Sequence, residues 1–244
     1  MIFPGLEEIS NLFSGSESTV SVLHLKTEIN AIEAFETSVL SSAKGIVGRD
    51  IKIPDTKNAY FVPTFLRIRS RELAERFDIA RLNEKDSEIL AAIKAIDSSI
   101  VEVESFSIGE PSIYLKRTGE SRLPLSLFGD GINRIVDIIL RIVNNENSIL
   151  LVDEIENGIH HSNQFEFWSI IYRLANSLNV QFFATTHSLE MVQAFIKAGS
   201  EYSSDAAHFE LARNAKTGNI VAIRRDLETL DYGISHNKEV RGGA

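Results

Sequence analysis

The rhythm of apolar and polar positions changes along this chain, and each change predicts a different kind of element. Residues 19–25 (Thr-Val-Ser-Val-Leu-His-Leu) alternate apolar with polar, the period-two pattern of a strand. Residues 27–43 then place Ile29, Ile32, Phe35 and Val39 three or four apart, which predicts a helix. Pro54, Asp55 and Asn58 mark a turn before the apolar run Tyr60-Phe61-Val62-Pro63. Helices are predicted over 70–77 and over 86–96, the second with Ile89, Leu90, Ile93 and Ile96 at helical spacing. Ile100 to Ile108 and Ser112 to Arg117 read as two strands of a hairpin, separated by Gly109-Glu110-Pro111.

From residue 118 the order becomes loop, helix, strand, helix, strand. Gly119 to Pro124 is a loop, and residues 132–143 (Ile-Asn-Arg-Ile-Val-Asp-Ile-Ile-Leu-Arg-Ile-Val) form a helix with a wide apolar face. Ser148 to Val152 is continuously apolar, as a parallel strand covered on both faces must be. A helix over 162–178 would lay Phe165, Trp168, Ile171 and Leu174 on that sheet, and Val180 to Thr185 is a second short buried strand. Two strands joined by a helix of this length form a right-handed crossover. The tail reads as a hairpin, 208–214 and 219–224, turning at Lys216-Thr217-Gly218-Asn219, followed by a helix over 226–235.

Composition narrows the class. The 244 residues fit one large α/β domain, with 43% apolar and 24% charged residues to build a core and a solvated surface. Within it, 1–117 is a helical and β-hairpin part, 118–200 the core of the candidate site, and 201–244 a C-terminal hairpin and helix. There are no cysteines, so no disulfide framework and no thiolate chemistry, and a reducing cytoplasm is the expected setting. No run of about 18 apolar residues predicts a membrane span. The net charge of −9 opposes a broad nucleic-acid footprint. Arg67, Arg69, Arg71, Arg76 and Arg81 cluster, but Glu72, Glu75 and Asp78 interleave with them, which favours a solvated mixed-charge helix over a nucleic-acid contact.

Three features carry candidate chemistry. The apolar run Ile149 to Val152 ends in Asp153-Glu154, and ligands of open α/β sheets bind beyond the carboxyl ends of strands. Successive side chains of an extended segment point to different sides, so one carboxylate suits Mg²⁺ and the other a water aimed at phosphorus. The next apolar strand ends in Thr185-Thr186-His187-Ser188, which brings His187 to the same rim if the strands are parallel neighbours; a histidine there can donate to a phosphate oxygen. Leu125-Ser126-Leu127-Phe128-Gly129-Asp130-Gly131 precedes the helix at 132, where glycines allow close backbone approach and free N–H groups face an anion. Each has a plainer reading: a chance acidic strand end, a surface histidine, and Asp130 as a helix N-cap with glycines that only make a turn.

Taken in order, the glycine loop, helix, Asp-Glu strand, helix and His strand resemble the ABC-class ATPases, which include the SMC-like and OLD-type proteins. The match is strongest to the small bacterial AAA-type ATP-binding proteins of that class. The resemblance is strong over 118–200, and Asn237-Lys238-Glu239-Val240-Arg241 is similar to the family's end. It implies a P-loop NTPase-like fold of the ABC ATPase head type, a largely parallel sheet flanked by helices with an antiparallel hairpin element. It also implies ATP and Mg²⁺ as cofactors, with Asp153 supporting Mg²⁺, Glu154 as general base and His187 as the switch histidine. Asn157, Gly158 and His160 fall in the D-loop, and Ser126, Gly129, Asp130 and Gly131 in the signature loop, which reaches a partner's ATP across a head-to-tail homodimer read by an effector protein.

Two departures qualify the resemblance. Phe128 stands where the signature serine would align, leaving Ser126 as the nearby hydroxyl. No G-x-x-x-x-G-K-[ST] occurs: Gly15-Ser16, Gly45 to Gly48 and Gly199-Ser200 all lack the lysine and hydroxyl at that spacing. That loop lies near the family's N-terminus, so the expectation is that Met1 is an internal start, with the first strand, phosphate loop and following helix missing, and that the chain alone binds ATP very weakly. The Gln-bearing loop is assigned no residue; the region of Tyr60 to Pro63 is its expected place. The alternative is a non-catalytic remnant or regulatory partner. A metal nuclease built on Asp153, Glu154 and Glu156 is a third reading, disfavoured because the family places nuclease chemistry in a separate domain beyond the switch histidine. His160-His161 lacks the spacing of a zinc pair, and no G-x-S-x-G elbow supports serine hydrolysis.

Overall fold

The computed structural model describes residues 21–29, 32–42, 45–48, 58–64, 69–200, 206–214 and 216–236, the first three stretches by their backbone. The chain divides into two compact units, residues 1–56 and 57–244.

The first unit holds an antiparallel sheet of β1 (Ser21–Ile29), β2 (Ile32–Ser42) and β3 (Gly45–Gly48), in the order β1-β2-β3. In place of the helix expected over 27–43, residues 27–29 end β1 and 32–42 form β2. Thr27 pairs with Phe35 and Ser21 with Ser41, so a long cross-strand ladder overrides a helical spacing that rested on four apolar residues. Gly15-Ser16, Pro54, Asp55, Arg67 and the closing residues 237–241 lie outside the described residues.

The second unit is built around a three-stranded parallel sheet. It contains β4 (Ala59–Val62), then α1 (Ser70–Leu82) and α2 (Asp86–Ile96), and an antiparallel sheet of β5 (Ile100–Phe106), β6 (Ser112–Arg117) and the short β7 (Leu123–Pro124). A 3-10 turn, Leu125–Phe128, leads into α3 (Asp130–Val143), then β8 (Ile149–Val152), α4 (Gln164–Ser177), β9 (Gln181–Ala184) and α5 (Leu189–Gly199). The tail is the hairpin β10 (His208–Arg213) and β11 (Ile220–Arg225) with α6 (Leu227–Ser235). Sequence periodicity predicts most of these elements to within a few residues, but β7 falls in the expected loop 119–124, β4 is expected only as an apolar run after a turn, α1 runs on to Leu82 rather than ending at 77, and no helix is expected at α5. Ser188 starts that helix as an N-cap, its hydroxyl accepting from the Met191 N–H.

The parallel sheet runs β4-β8-β9, with Tyr60 opposite Leu150 and Leu150 opposite Phe182. One face is well covered. Leu150, Val62 and Val152 are buried there, and Trp168 of α4 packs edge-on against Phe182 at 5.9 Å. The Trp168 indole donates to the Met191 carbonyl at 3.2 Å, which ties α5 to the same side as α4. Beneath them α3 buries Ile135, Val136, Ile138, Ile139, Leu140, Ile142 and Val143. Each such side chain stabilises the fold by roughly 1.5–3 kcal/mol relative to exposure. Among the described residues no element covers the opposite face, which carries Phe61, Leu151 and Phe183 in register, 60%, 37% and 46% exposed.

Within this core Asp137 is fully buried, paired with Arg76 of α1 and with Arg141 at 2.8 Å. A carboxylate so placed is tolerated only because two guanidinium groups replace its water.

Candidate active site at the ends of the parallel strands

Parallel strands end on the same rim, and here three of them deliver residues just beyond their ends to one point. Asp153 follows β8, Thr64 follows β4 and Thr185 follows β9. The Thr64 hydroxyl donates to Asp153 Oδ2 at 2.8 Å and the Thr185 hydroxyl to Oδ1 at 2.6 Å. Those two hydrogen bonds, with smaller help from the Glu154 N–H and Arg134, hold the Asp153 carboxyl below the usual carboxylate range. Asp153 is thus an ionised, fixed pair of oxygens at neutral pH.

Glu154 begins a tight turn. Its φ of 44° is left-handed, its N–H donates to the Thr185 hydroxyl at 2.9 Å, and the Asn157 N–H returns to its carbonyl at 3.0 Å. Arg134 reaches in from α3 and donates from Nη2 to the carbonyls of Asp153 at 2.7 Å and Glu154 at 3.1 Å. His187 stands on the same rim, its backbone N–H donating to Glu156 Oε1 at 2.8 Å, with its side chain exposed. Asp153, Glu154 and His187 therefore all follow strands that end at one edge of the sheet.

The glycine loop meets this turn from the other side. Gly129 has a φ of 86° and caps α3, while Asp130 is the first helical residue and makes no side-chain cap bond. Asp130 is thus not the N-cap, but its charge lies in the first helical turn, where a negative group is favourable. Gly131 lies against Gly158: a Cβ added at Gly131 would sit 2.1 Å from the Gly158 carbonyl oxygen. Beside this contact a cleft of about 180 Å³ is lined by Phe128, Gly131, Ile132, Gly158, His160 and Asn163, among others. Ser126 is exposed on the 3-10 turn, and Asn157 is exposed on the acidic turn. The His160 ring lies 4.2 Å from that of His161 and contacts the Ser162 hydroxyl at 3.0 Å.

Among the described residues no group of three or more His, Asp or Glu could enclose a metal. A single firmly held carboxylate on a polar rim suits Mg²⁺, which keeps most of its waters and takes one or two protein carboxylates. Sequence reasoning assigned no role to Thr64, Thr185 or Arg134. A hydroxyl directly after each apolar strand was the available signal for the threonines; Arg134 gave none, because its role is a contact between elements.

Residues 22–192 match the model of the AAA ATPase domain. The chain belongs to this AAA ATPase family. It is 24% identical over 197 residues to an ATP/GTP phosphatase of Helicobacter pylori, covering 78% of this chain and 52% of the relative, so the chain spans about half the length of that curated protein. Among solved structures, an SMC head bound to the C-winged helix domain of ScpA shares the fold with a TM-score of 0.52 at 13% identity, over 87% of this chain and 76% of that one. The SMC head domain of Thermotoga maritima aligns with a TM-score of 0.47 at 13% identity, over 84% of this chain and 74% of that one. This AAA ATPase chain has a P-loop NTPase-like fold.

Proposed function

We propose that the chain is the acidic, water-activating half of an ATP-hydrolysing switch: Asp153 holds Mg²⁺, Glu154 orients the attacking water and His187 senses the terminal phosphate. The observation that carries this reading is the convergence of Thr64, Asp153 and Thr185 from three strand ends, which fixes one carboxylate and leaves the next residue projecting from the same rim. Bound Mg²⁺ would neutralise charge on the phosphate oxygens. The residues of this chain do the rest. Thr64 and Thr185 lock the Asp153 oxygens, and the exposed His187 side chain stands ready to donate a hydrogen bond. Glu156 Oε1 accepts from the His187 N–H, which ties the acidic turn to the His187 segment.

The phosphate cradle comes from a segment that precedes β4, and the uncovered sheet face supports this. All-parallel sheets are covered on both faces. The crossover from β8 to β9 puts α4 on the covered face, so a helix on the open face belongs to a crossover running the other way, because parallel crossovers share one hand. α5, which follows β9, lies with α4, so the returning crossover does not come after β9. A strand placed beside β9 and earlier in the chain than β4 satisfies the geometry, and its helix would cover Phe61, Leu151 and Phe183. The loop between them would open onto the rim of Asp153.

In this reading the glycine loop 129–131 faces the ATP of a second copy, ATP closes the dimer and an effector reads the closed state. The binding of ScpA by an SMC head of the same fold supports an effector. DNA maintenance or phage defence in the cytoplasm is the setting we favour; no helix among the described residues is long and apolar enough to cross a membrane.

The test is Glu154→Gln in the longest polypeptide read in frame through Met1. It should retain ATP and stabilise a dimer while hydrolysis stops; unchanged hydrolysis sinks the role of Glu154. A micromolar ATP affinity in the 244-residue chain would instead refute the supplied cradle. The second reading, a non-catalytic partner, is favoured by the lack of a lysine-bearing phosphate loop and predicts no hydrolysis in either polypeptide.

A further inference from the structure

Arg134 is set apart by where its donors go. It sits one turn into α3, three residues beyond Gly131, and directs Nη2 to two backbone carbonyls of another element, those of Asp153 and Glu154. Its Nε is buried and has no hydrogen-bond partner. The carboxylates of Asp137, Glu156, Asp153 and Glu154 all lie near enough to attract it, yet its short contacts are to carbonyl oxygens. One of the two residues it grips is conformationally strained: Glu154 has a left-handed φ of 44°, which a side chain with a Cβ disfavours.

We propose that Arg134 is a positioning residue that straps the acidic turn to the glycine-loop helix, holding Glu154 in its left-handed conformation so that its carboxylate keeps one direction. The assignment of Glu154 as base rests on the switch reading above; the strap itself rests on the hydrogen bonds. A peptide carbonyl held by a cation cannot rotate without losing a charge-assisted bond, and rotating the Glu154 peptide is the movement that would release the turn. Gly131 against Gly158 makes a second tether between the same two elements, three residues earlier on α3. With both tethers in place, a shift of α3 caused by a ligand on the glycine loop is carried to the Glu154 backbone as a rigid displacement. The coupling runs through a packed contact and a hydrogen bond rather than through a flexible loop.

The alternative is that Arg134 only balances the local negative charge. A lysine would then serve equally, since it carries the same charge without the planar fork. Three measurements separate these. In the 244-residue chain, amide exchange over 154–157 should rise at least tenfold in Arg134→Met and by an intermediate amount in Arg134→Lys, while exchange over 135–143 stays within twofold. Unchanged exchange over 154–157 in Arg134→Met overturns the strap, and full rescue by lysine reduces it to charge balance and also overturns it. If methionine unfolds the chain, Arg134→Gln and Arg134→Lys carry the comparison. In the longer, hydrolysing polypeptide, Arg134→Met should lower kcat roughly a hundredfold with KM within threefold, the size expected for a misplaced reacting group. A loss confined to KM overturns the positioning role. Absence of hydrolysis in the unaltered polypeptide would sink the switch reading, and the exchange experiment would still decide the strap.

Discussion

Gly131→Ala is the sharpest test of how the glycine loop and the acidic turn fit together. Alanine is the better helix former, so at a free helical position the change would stabilise α3 by about 1 kcal/mol. Here the new methyl would lie 2.1 Å from the Gly158 carbonyl oxygen and 3.1 Å from its carbon, both backbone atoms that cannot swing aside as a side-chain tip would. Overpacking of this kind costs about 1–3 kcal/mol and falls at the high end when backbone must move. The steric term wins, leaving a net loss of about 1–2 kcal/mol and a melting temperature lower by roughly 2–8 °C for a chain of this length. Gly158→Ala loses stability for another reason. Its Cβ would meet Gly131 at 3.5 Å, an ordinary contact, but its φ of 76° is left-handed and costs a non-glycine residue about 1–2 kcal/mol. Asparagine tolerates that region, so Gly158→Asn should recover part of the loss, whereas Gly131→Asn should be worse than Gly131→Ala. Thermal melts of the four variants decide it. A Gly131→Ala chain that melts at or above the unaltered one would refute the close approach of the two segments.

Three further outcomes follow from the same geometry. Asp137→Ala strands Arg76 and Arg141 in the core and should destabilise by about 3–5 kcal/mol in urea titrations; a loss under about 1 kcal/mol would mean that the pair is wetter than its burial implies. Thr185→Val removes both the donor to Asp153 and the acceptor for the Glu154 N–H, so it should cost about 1–2 kcal/mol with recovery in Thr185→Ser, and an equal melt for valine and serine would refute the role of the hydroxyl. His208 is pushed below the ordinary histidine range by burial, partly offset by Glu210 and reinforced by Arg225. Because its folded-state value is depressed, the unfolded chain takes the proton first: stability is full above about pH 6.5 and declines as pH falls below it. That slope should flatten in His208→Gln, measured by denaturant titration at about pH 7.5 and about pH 5.5, on either side of the ordinary histidine value.

Much of the second unit was legible because its elements are short, strongly patterned and locally punctuated. The apolar runs at β8 and β9 are strands, as expected, and their polar ends give the rim; the expected burial on both faces does not hold, since Leu151 and Phe183 are 37% and 46% exposed. The helix expected over 27–43 failed where two periods competed: Ile29, Ile32, Phe35 and Val39 fit a helical face, but β-branched and aromatic residues also suit a ladder, and the partner strand decided. α5 went unread because it follows the rim motif directly, and its capping serine was absorbed into the reading of His187. The threonines that lock Asp153 come from strand ends 89 and 32 residues away in sequence, a proximity that only the sheet order supplies. Arg134 read as one more charge on an amphipathic helix, and its target is backbone, which leaves no complementary side chain to notice.

The two acids of the rim are held in opposite ways, and that difference lets function be separated from folding. Both oxygens of Asp153 accept hydrogen bonds from hydroxyls on neighbouring strands, so Asp153→Asn replaces an acceptor with an amide that cannot accept from both threonines. That variant should lose stability as well as any Mg²⁺ dependence. Glu154 is fixed through its backbone alone, by Thr185, Asn157 and Arg134, and its carboxylate accepts no hydrogen bond from a described residue. Glu154→Gln keeps the shape and every backbone contact, so its melting temperature should match the unaltered chain within a degree or two. A side chain that the fold does not need, presented from a strained backbone position that the fold works to maintain, is the combination expected of a group kept for chemistry. If Glu154→Gln melted several degrees lower, the carboxylate would be structural and that inference would fail, whatever happened to hydrolysis.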